Sequence, residues 1–284
     1  MLALFYHRKE VTLQVDASKN GLGAAIMQEG RPVAYASKLL NSTEQNYAQI
    51  EKELYAVLFG CRRFHEYLYG RHVTVESDHK PLETILRKPL ALAPPRLQRM
   101  MLALQKYTIT LIHRPGKESP VADTLSRKSM EHEDKSLTEA IETQVHSVIS
   151  TAPVSADRLD DIKTATAQDE QLSTLQQVIR SGWPEKRKRC HPHVSEYWNH
   201  RDEITEADGI LLKGEKIIIP HKLRPYMLRC IHTGHFGVEK SKHRARDIMF
   251  CPGMSQQTHA KRTAAASQRS PCSHTTSQRT PGRL

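Results

Sequence analysis

The chain has 284 residues, enough for one large domain or two modest ones, and its 38% hydrophobic and 6% aromatic content is lean for a chain packed throughout. It has no run of about 18 apolar residues that could span a membrane, and the apolar run Leu2 to Tyr6 is too short for a signal-peptide core. The net charge of +11 is uneven, +7 over residues 1–130, −6 over 131–221 and +10 over 222–284, and basic surface of this kind draws polyanions, nucleic acid above all.

Val11 to Val15 alternates apolar and polar residues and ends at Asp16, which predicts a strand. Gly21 and Gly23 mark a turn, Leu22 to Met27 a returning strand, Gly30 a second turn and Pro32 to Ala36 a third strand. From Thr43 to Tyr69 the period changes. Tyr47, Ile50, Leu54, Val57, Leu58, Cys61, Phe64 and Leu68 recur at spacings of three and four, which predicts one long helix with a single core-facing stripe. Ser42 or Thr43 suits its N-cap and Gly70 its stop. His72 to Ser77 reads as a strand and Pro81 to Leu86 as a short helix, and Pro94 and Pro95 precede another helix through Leu97, Met101 and Leu104. Tyr107 to Ile112 alternates as a fifth strand, and Val121 to Ser126 fits one or two helical turns. The result is a mixed α/β domain. Five scattered cysteines without paired spacing are expected to be reduced intracellular thiols.

Asp16 and Asp78 each end a predicted strand, and strand ends are where α/β sheets assemble sites. Asp is also a common turn former, so neither residue alone marks a site. Glu53 flanks the apolar stripe of the long helix, Glu51 flanks its other side, and periodicity leaves the two in competition. Asp123 opens the last helical turns. Converging carboxylates repel one another unless cations neutralise them. Two divalent ions about 3.5–4 Å apart would do so and clamp both the attacking and leaving oxygens of a phosphodiester. All-oxygen donors suit Mg²⁺.

The segments VTLQVDASKNGLGAAIMQ (11–28), RPVAYASKLL (31–40), EQNYAQIEKELYAVLFGCRRFHEYLYG (44–70), VESDHKPL (75–82), PPRLQRMMLALQKY (94–107) and HRPGKESPVADTLSR (113–127) closely resemble the RNase H domain of gypsy-type LTR retrotransposon polyproteins. The resemblance implies an RNase H-like α/β fold with a mixed five-stranded sheet. It also implies that Asp16, Glu53, Asp78 and Asp123 are the catalytic and metal-binding set, and it decides Glu53 over Glu51. The implied activity is endonucleolytic hydrolysis of the RNA strand of RNA–DNA hybrids with two Mg²⁺ ions. Arg96, Arg99, Lys106 and Arg114 are candidates for phosphate contacts. No membrane and no small-molecule substrate are expected. No Tyr-x-Asp-Asp signature is present, so polymerase activity is expected to be absent.

Residues 129–156 read as a polar linker with one weak helix, and 159–179 as a polar helical stretch. Ile210 to Lys213 and Lys216 to Ile219 predict a hairpin, and two short helices are expected over 223–232 and 238–248. YWNHRDEITEADGILLKGEKIIIP (197–220) and LRPYMLRCIHTGHFGVEKSKHRARDIMFCPGM (223–254) resemble the region leading into the integrase of the same polyproteins. His232 and His235 match the two histidines of that family's zinc site, but the Cys-x-x-Cys that completes it is missing, so no tight zinc is expected. The expected organisation is an RNase H-like domain (1–128), a linker (129–156), a small mainly helical integrase-like region with a hairpin (157–257), and a disordered tail (258–284). From Thr258 to Arg283 there is no large apolar residue to build a core. The alternative to a nuclease is a catalytically inactive nucleic-acid-binding remnant of such a polyprotein.

Overall fold

The structure, a computed structural model, describes residues 2–115, 120–128, 135–152, 154–227 and 248–252. Val11–Ala17 (β1), Gly21–Gln28 (β2) and Arg31–Leu39 (β3) form an antiparallel meander. The β2–β3 turn places Glu29 and Gly30 at φ of 51° and 73°, the left-handed pair that suits a two-residue hairpin loop. His72–Ser77 (β4) pairs parallel with β1, and Thr108–His113 (β5) parallel with β4. The sheet order is β3-β2-β1-β4-β5, a mixed five-stranded sheet of RNase H-like α/β type.

The single helix expected over 43–69 is three: Ser42–Gln45 (α1), Gln49–Arg63 (α2) and His65–Leu68 (α3). Asn41 caps α1, not Ser42 or Thr43. Its side chain accepts from the Glu44 amide at 2.8 Å, and the Glu44 carboxylate accepts from the Asn41 amide at 2.9 Å. Half of such a box starts α2: the Ala48 amide donates to the Glu51 carboxylate at 2.9 Å, while the alanine methyl can accept nothing in return. Both glutamates satisfy helix-start amides locally, so the chain restarts its helix instead of running through.

Pro81–Ile85 (α4), Pro95–Leu104 (α5) and Pro120–Arg127 (α6) come next in the chain. Adjacent strand residues point to opposite faces. Ala24 meets Gly60 of α2, while Gly23 meets α6, so the two helices cover opposite faces of β2, and every residue of β2 is buried.

Downstream, Lys135–Thr151 (α7), Ala156–Gln168 (α8) and Glu170–Ser181 (α9) lead to Ile204–Ala207 (β6), Ile210–Lys213 (β7), Lys216–Ile218 (β8) and Met249–Phe250 (β9). These strands form a second sheet in the order β6-β7-β8-β9. The hairpin expected over 210–219 is β7–β8, and β6 adds a strand that the residue pattern did not predict.

Residues 129–156, expected to be a linker, contribute α7, which packs on α5 and buries Ile141 and Val145. By their contacts Met1–Phe250 form one compact unit. Ile141, Leu172, Leu175, Ile179, Tyr197 and Ile204 join the same apolar core as α2 and the first sheet. Of the second unit, Cys251–Leu284, only Cys251 and Pro252 are described. His232, His235, most of the two helices expected over 223–248, and the tail 258–284 lie outside the described residues.

Candidate active site

β1 and β4 are parallel neighbours, with Gln14 opposite Glu76. Continuing that register by two residues brings Asp16 beside Asp78 at the same end of the sheet. Glu53 reaches this end from the first turns of α2. Carboxylate oxygens of Asp16, Glu53 and Asp78 all lie within 4.8 Å of one another. Glu53 is buried, Asp16 half-buried and Asp78 exposed, so the cluster runs from the interior to the surface.

Two of the carboxylates are held by groups that the sequence patterns did not single out. Ser126 of α6, fully buried, donates from Oγ to Asp16 Oδ2 at 2.5 Å. The Ser126 carbonyl accepts from Ser18 Oγ at 2.8 Å, which fastens α6 to the loop after β1. Gln49 Nε2 donates to Glu53 Oε1 at 2.8 Å and to the Ala17 carbonyl at 3.1 Å, which ties α2 to the same strand end. The available signal was spacing: Gln49 lies four residues before Glu53, and Ser126 three after Asp123, both on shared helix faces.

The second Glu53 oxygen, Oε2, is buried without a hydrogen-bond partner. Burial first, then the charges of Asp16 and Asp78, push the Glu53 carboxyl well above its ordinary range. Burial also raises Asp16; the Ser126 hydrogen bond opposes this, and the Asp78 and Asp123 charges add to it. Asp78 is raised by burial, lowered by His113 and raised by Asp123. Three carboxylates this close resist simultaneous ionisation unless a cation joins them. The all-oxygen donor set and the orphaned Glu53 oxygen fit a hard divalent ion.

Asp123 lies within electrostatic reach of Asp16 and Asp78 but outside the close trio. It pairs with the exposed Arg127 at 2.7 Å. The packing of α6 that carries Asp123 depends on Gly23. A Cβ there would stand 2.3 Å from the Ala122 carbonyl oxygen and 2.7 Å from the Ser126 amide nitrogen, both backbone atoms that cannot swing aside. Gly23→Ala is therefore expected to cost about 1–3 kcal/mol through overpacking. It should also lower whatever activity depends on Ser126 and Asp123. Chemical denaturation with a parallel activity measurement checks both, and a variant of wild-type stability would show that α6 does not lie this close.

Of the expected phosphate contacts, Arg96 is a correction: its guanidinium is buried and engaged by carboxylates. Arg99 and Lys106 are exposed, but Lys106 precedes the start of β5, at the end of the sheet opposite Asp78. Arg114 is exposed just beyond β5, near the acidic end, and pairs with Glu76 at 3.2 Å. Next to the cluster lies a cleft of about 690 Å³, lined by Asp78, His79 and His113 among others. Burial, then His113, pushes the His79 imidazole down to about 4.

Residues 6–107 match the family described as the RNase H-like domain found in reverse transcriptase, a span that includes Asp16, Glu53 and Asp78 but not Asp123. The Pol polyprotein of transposon 297 of Drosophila melanogaster is 40% identical over 125 residues, 43% of this chain and 11% of that protein. That of transposon gypsy is 33% identical over 150 residues, 48% of this chain and 14% of that protein. The chain thus spans only a small part of the curated relatives it matches. Among solved structures, LC11-RNase H1 isolated from compost is 20% identical, with 45% of this chain and 99% of that chain covered and a TM-score of 0.35. A prototype foamy virus protease–reverse transcriptase is 18% identical, with 40% and 16% covered and a TM-score of 0.35.

Proposed function

We propose, from the premise that residues 6–107 are an RNase H-like domain of the kind found in reverse transcriptases, similar to that of gypsy-type transposon Pol polyproteins, that the protein hydrolyses the RNA strand of RNA–DNA hybrids. One observation carries this reading: three carboxylates from β1, α2 and the end of β4 meet within 4.8 Å around a buried, unpartnered Glu53 oxygen. When bound there, a pair of Mg²⁺ ions would supply the charge that activates water and stabilises the leaving oxygen of the phosphodiester. Asp16, Glu53 and Asp78 would hold them, and Asp123 would contribute from the rim. Ser126 fixes the Asp16 carboxylate, and Gln49 occupies one Glu53 oxygen while leaving the other open. Contacts to the 2′-hydroxyl would distinguish RNA from DNA.

The direct test incubates purified protein with a labelled hybrid in Mg²⁺ and in Mn²⁺. Cutting of the RNA strand with duplex DNA left whole is expected. A hybrid that is bound but uncut in both metals would favour the inactive binding remnant.

A second expectation comes from the raised carboxyls. Groups whose folded pKa lies above the unfolded value stabilise the fold fully below the unfolded range, about pH 4, and that contribution is lost as pH rises through the folded values. Metal-free protein should therefore lose melting temperature toward neutral pH relative to Glu53→Gln. Mg²⁺ binds the ionised form, so it should raise the melting temperature of the wild-type protein at about pH 7 and leave it unchanged near pH 4. Melting curves across pH with and without Mg²⁺ check this. An equal Mg²⁺ effect in wild type and Glu53→Gln would remove Glu53 from the ion site.

A further inference from the structure

The cleft beside Asp78 is also lined by sequence about a hundred residues downstream. Asp78, His79 and Lys80 line it together with Gly182, Trp183 and Lys186, and Glu185 and Asp202 add carboxylates to the same lining. The downstream stretch touches the support of the acidic cluster. Gly182, at φ 97°, turns the chain at the end of α9, and a Cβ built on it would stand 3.6 Å from Cγ of Gln49, whose amide holds Glu53. Trp183 packs edge-on against Trp198 with centroids 6.0 Å apart, and Trp198 carries the Arg201 guanidinium over its ring at 4.8 Å. This aromatic pair anchors the start of a basic segment.

Past Pro184 the chain reads Glu185, Lys186, Arg187, Lys188, Arg189, with Arg187–Arg189 in a single 3-10 turn. All four cations are exposed, and none has an ion-pair partner among the described residues. A charge run is ordinarily just a solvated surface. The first residue of this one, Lys186, lines the same cleft as Asp78, beside the packed Trp183. The acidic cluster repels a polyanion, and cations lining the same cleft are what would let a phosphate backbone approach.

We propose that the Lys186–Arg189 turn is a backbone-binding site for nucleic acid that grips phosphates of the strand entering the cleft beside Asp78. The class of ligand rests on the nuclease reading above. The turn lies outside the matched residues 6–107, so the downstream part of the chain contributes directly to substrate binding.

The test compares Lys186→Ala/Lys188→Ala with a charge-matched control, Arg8→Ala/Arg31→Ala, whose exposed side chains flank β1 and β3 at the opposite end of the sheet. Binding of a fluorescent RNA–DNA hybrid is measured in EDTA across a salt series, and cleavage kinetics in Mg²⁺. The cleft variant is expected to raise Kd about tenfold or more, and to lower the magnitude of the salt slope by about 1–2. It should raise KM with kcat within about twofold, the mark of lost uniform binding. The control should change little, and Lys186→Arg/Lys188→Arg should keep wild-type affinity. Equal losses in the cleft and control variants, or unchanged binding in the cleft variant, would overturn the proposal. A wild-type protein that cuts nothing, yet loses hybrid binding only in the cleft variant, would sink the nuclease reading and leave the binding site standing. A wild-type protein that cuts, with a cleft variant that binds and cuts unchanged, would do the reverse.

Discussion

Asp16→Asn, Glu53→Gln and Asp78→Asn are each expected to lower hybrid cleavage by at least about 10²–10³-fold, the usual loss when one preorganised electrostatic group is removed from a reacting centre. Each change keeps volume and removes charge, so a loss of activity reports on the charge. The three side chains share one centre, with oxygens within 4.8 Å, so double variants should be hardly worse than single ones. Asp123→Asn should cost less, because that carboxylate lies outside the close trio and is paired with Arg127. Stability should move the other way. In metal-free protein near neutral pH, removing one of three mutually repelling carboxylates relieves repulsion, so Asp78→Asn is expected to melt at or above the wild-type temperature. A variant that is inactive because it is unfolded would betray itself by melting lower. Single-turnover cleavage and melting curves on the same preparations separate the two. Full activity in Glu53→Gln would contradict the site.

The largest expected loss of stability belongs to Arg96. Its Nε and Nη2 grip Glu142 at 2.9 and 3.2 Å. Its Nη1 donates to the Glu206 carbonyl at 2.6 Å and to Thr205 Oγ1 at 3.0 Å, and lies 3.5 Å from Glu51. The Tyr47 ring lies beneath the guanidinium at 4.4 Å. Glu51 is fully buried, and Thr205 Oγ1 donates to it at 2.5 Å. Removing one partner of a buried ion pair strands the other charge, at a cost of about 3–5 kcal/mol. Arg96→Ala is expected to lose that much in denaturant unfolding. Arg96→Lys should recover little, because an ammonium cannot make the paired contact to Glu142. The same experiment separates the two roles considered for this residue. A phosphate contact would weaken hybrid binding and leave unfolding untouched, whereas the buried network predicts the opposite. A stability loss below about 1 kcal/mol would mean that the network is open to water.

Much of the first sheet was legible because its signals are local. The alternation of Val11 to Val15 and the bounds His72 to Ser77 arise from side-chain period alone. The eight apolar positions read from Tyr47 to Leu68 are all buried, because burying one stripe is what such a period does. The same pattern misjudged the helix as a whole. A hydrophobic period counts apolar residues only, so it does not predict that Glu51, Lys52 and Glu53 are all buried, as they are. Glu53 was singled out through the resemblance, since periodicity left it in competition with Glu51.

What only the tertiary structure decided is the fate of polar residues whose partners are distant in sequence. The amino-acid sequence by itself determined the meander, the two strand-end aspartates and the apolar face of α2, since each depends on neighbours within a few residues. It could not determine that Arg96 turns inward, because its partners Glu142, Thr205 and Glu206 lie 46 to 110 positions away. Nor could it show that Ser126 orients Asp16 across 110 positions, or that Gly182 abuts Gln49. A buried charge is tolerated only where the folded chain supplies its counter-charge and hydrogen bonds. That supply is a property of three-dimensional packing, and no local pattern of residues encodes it.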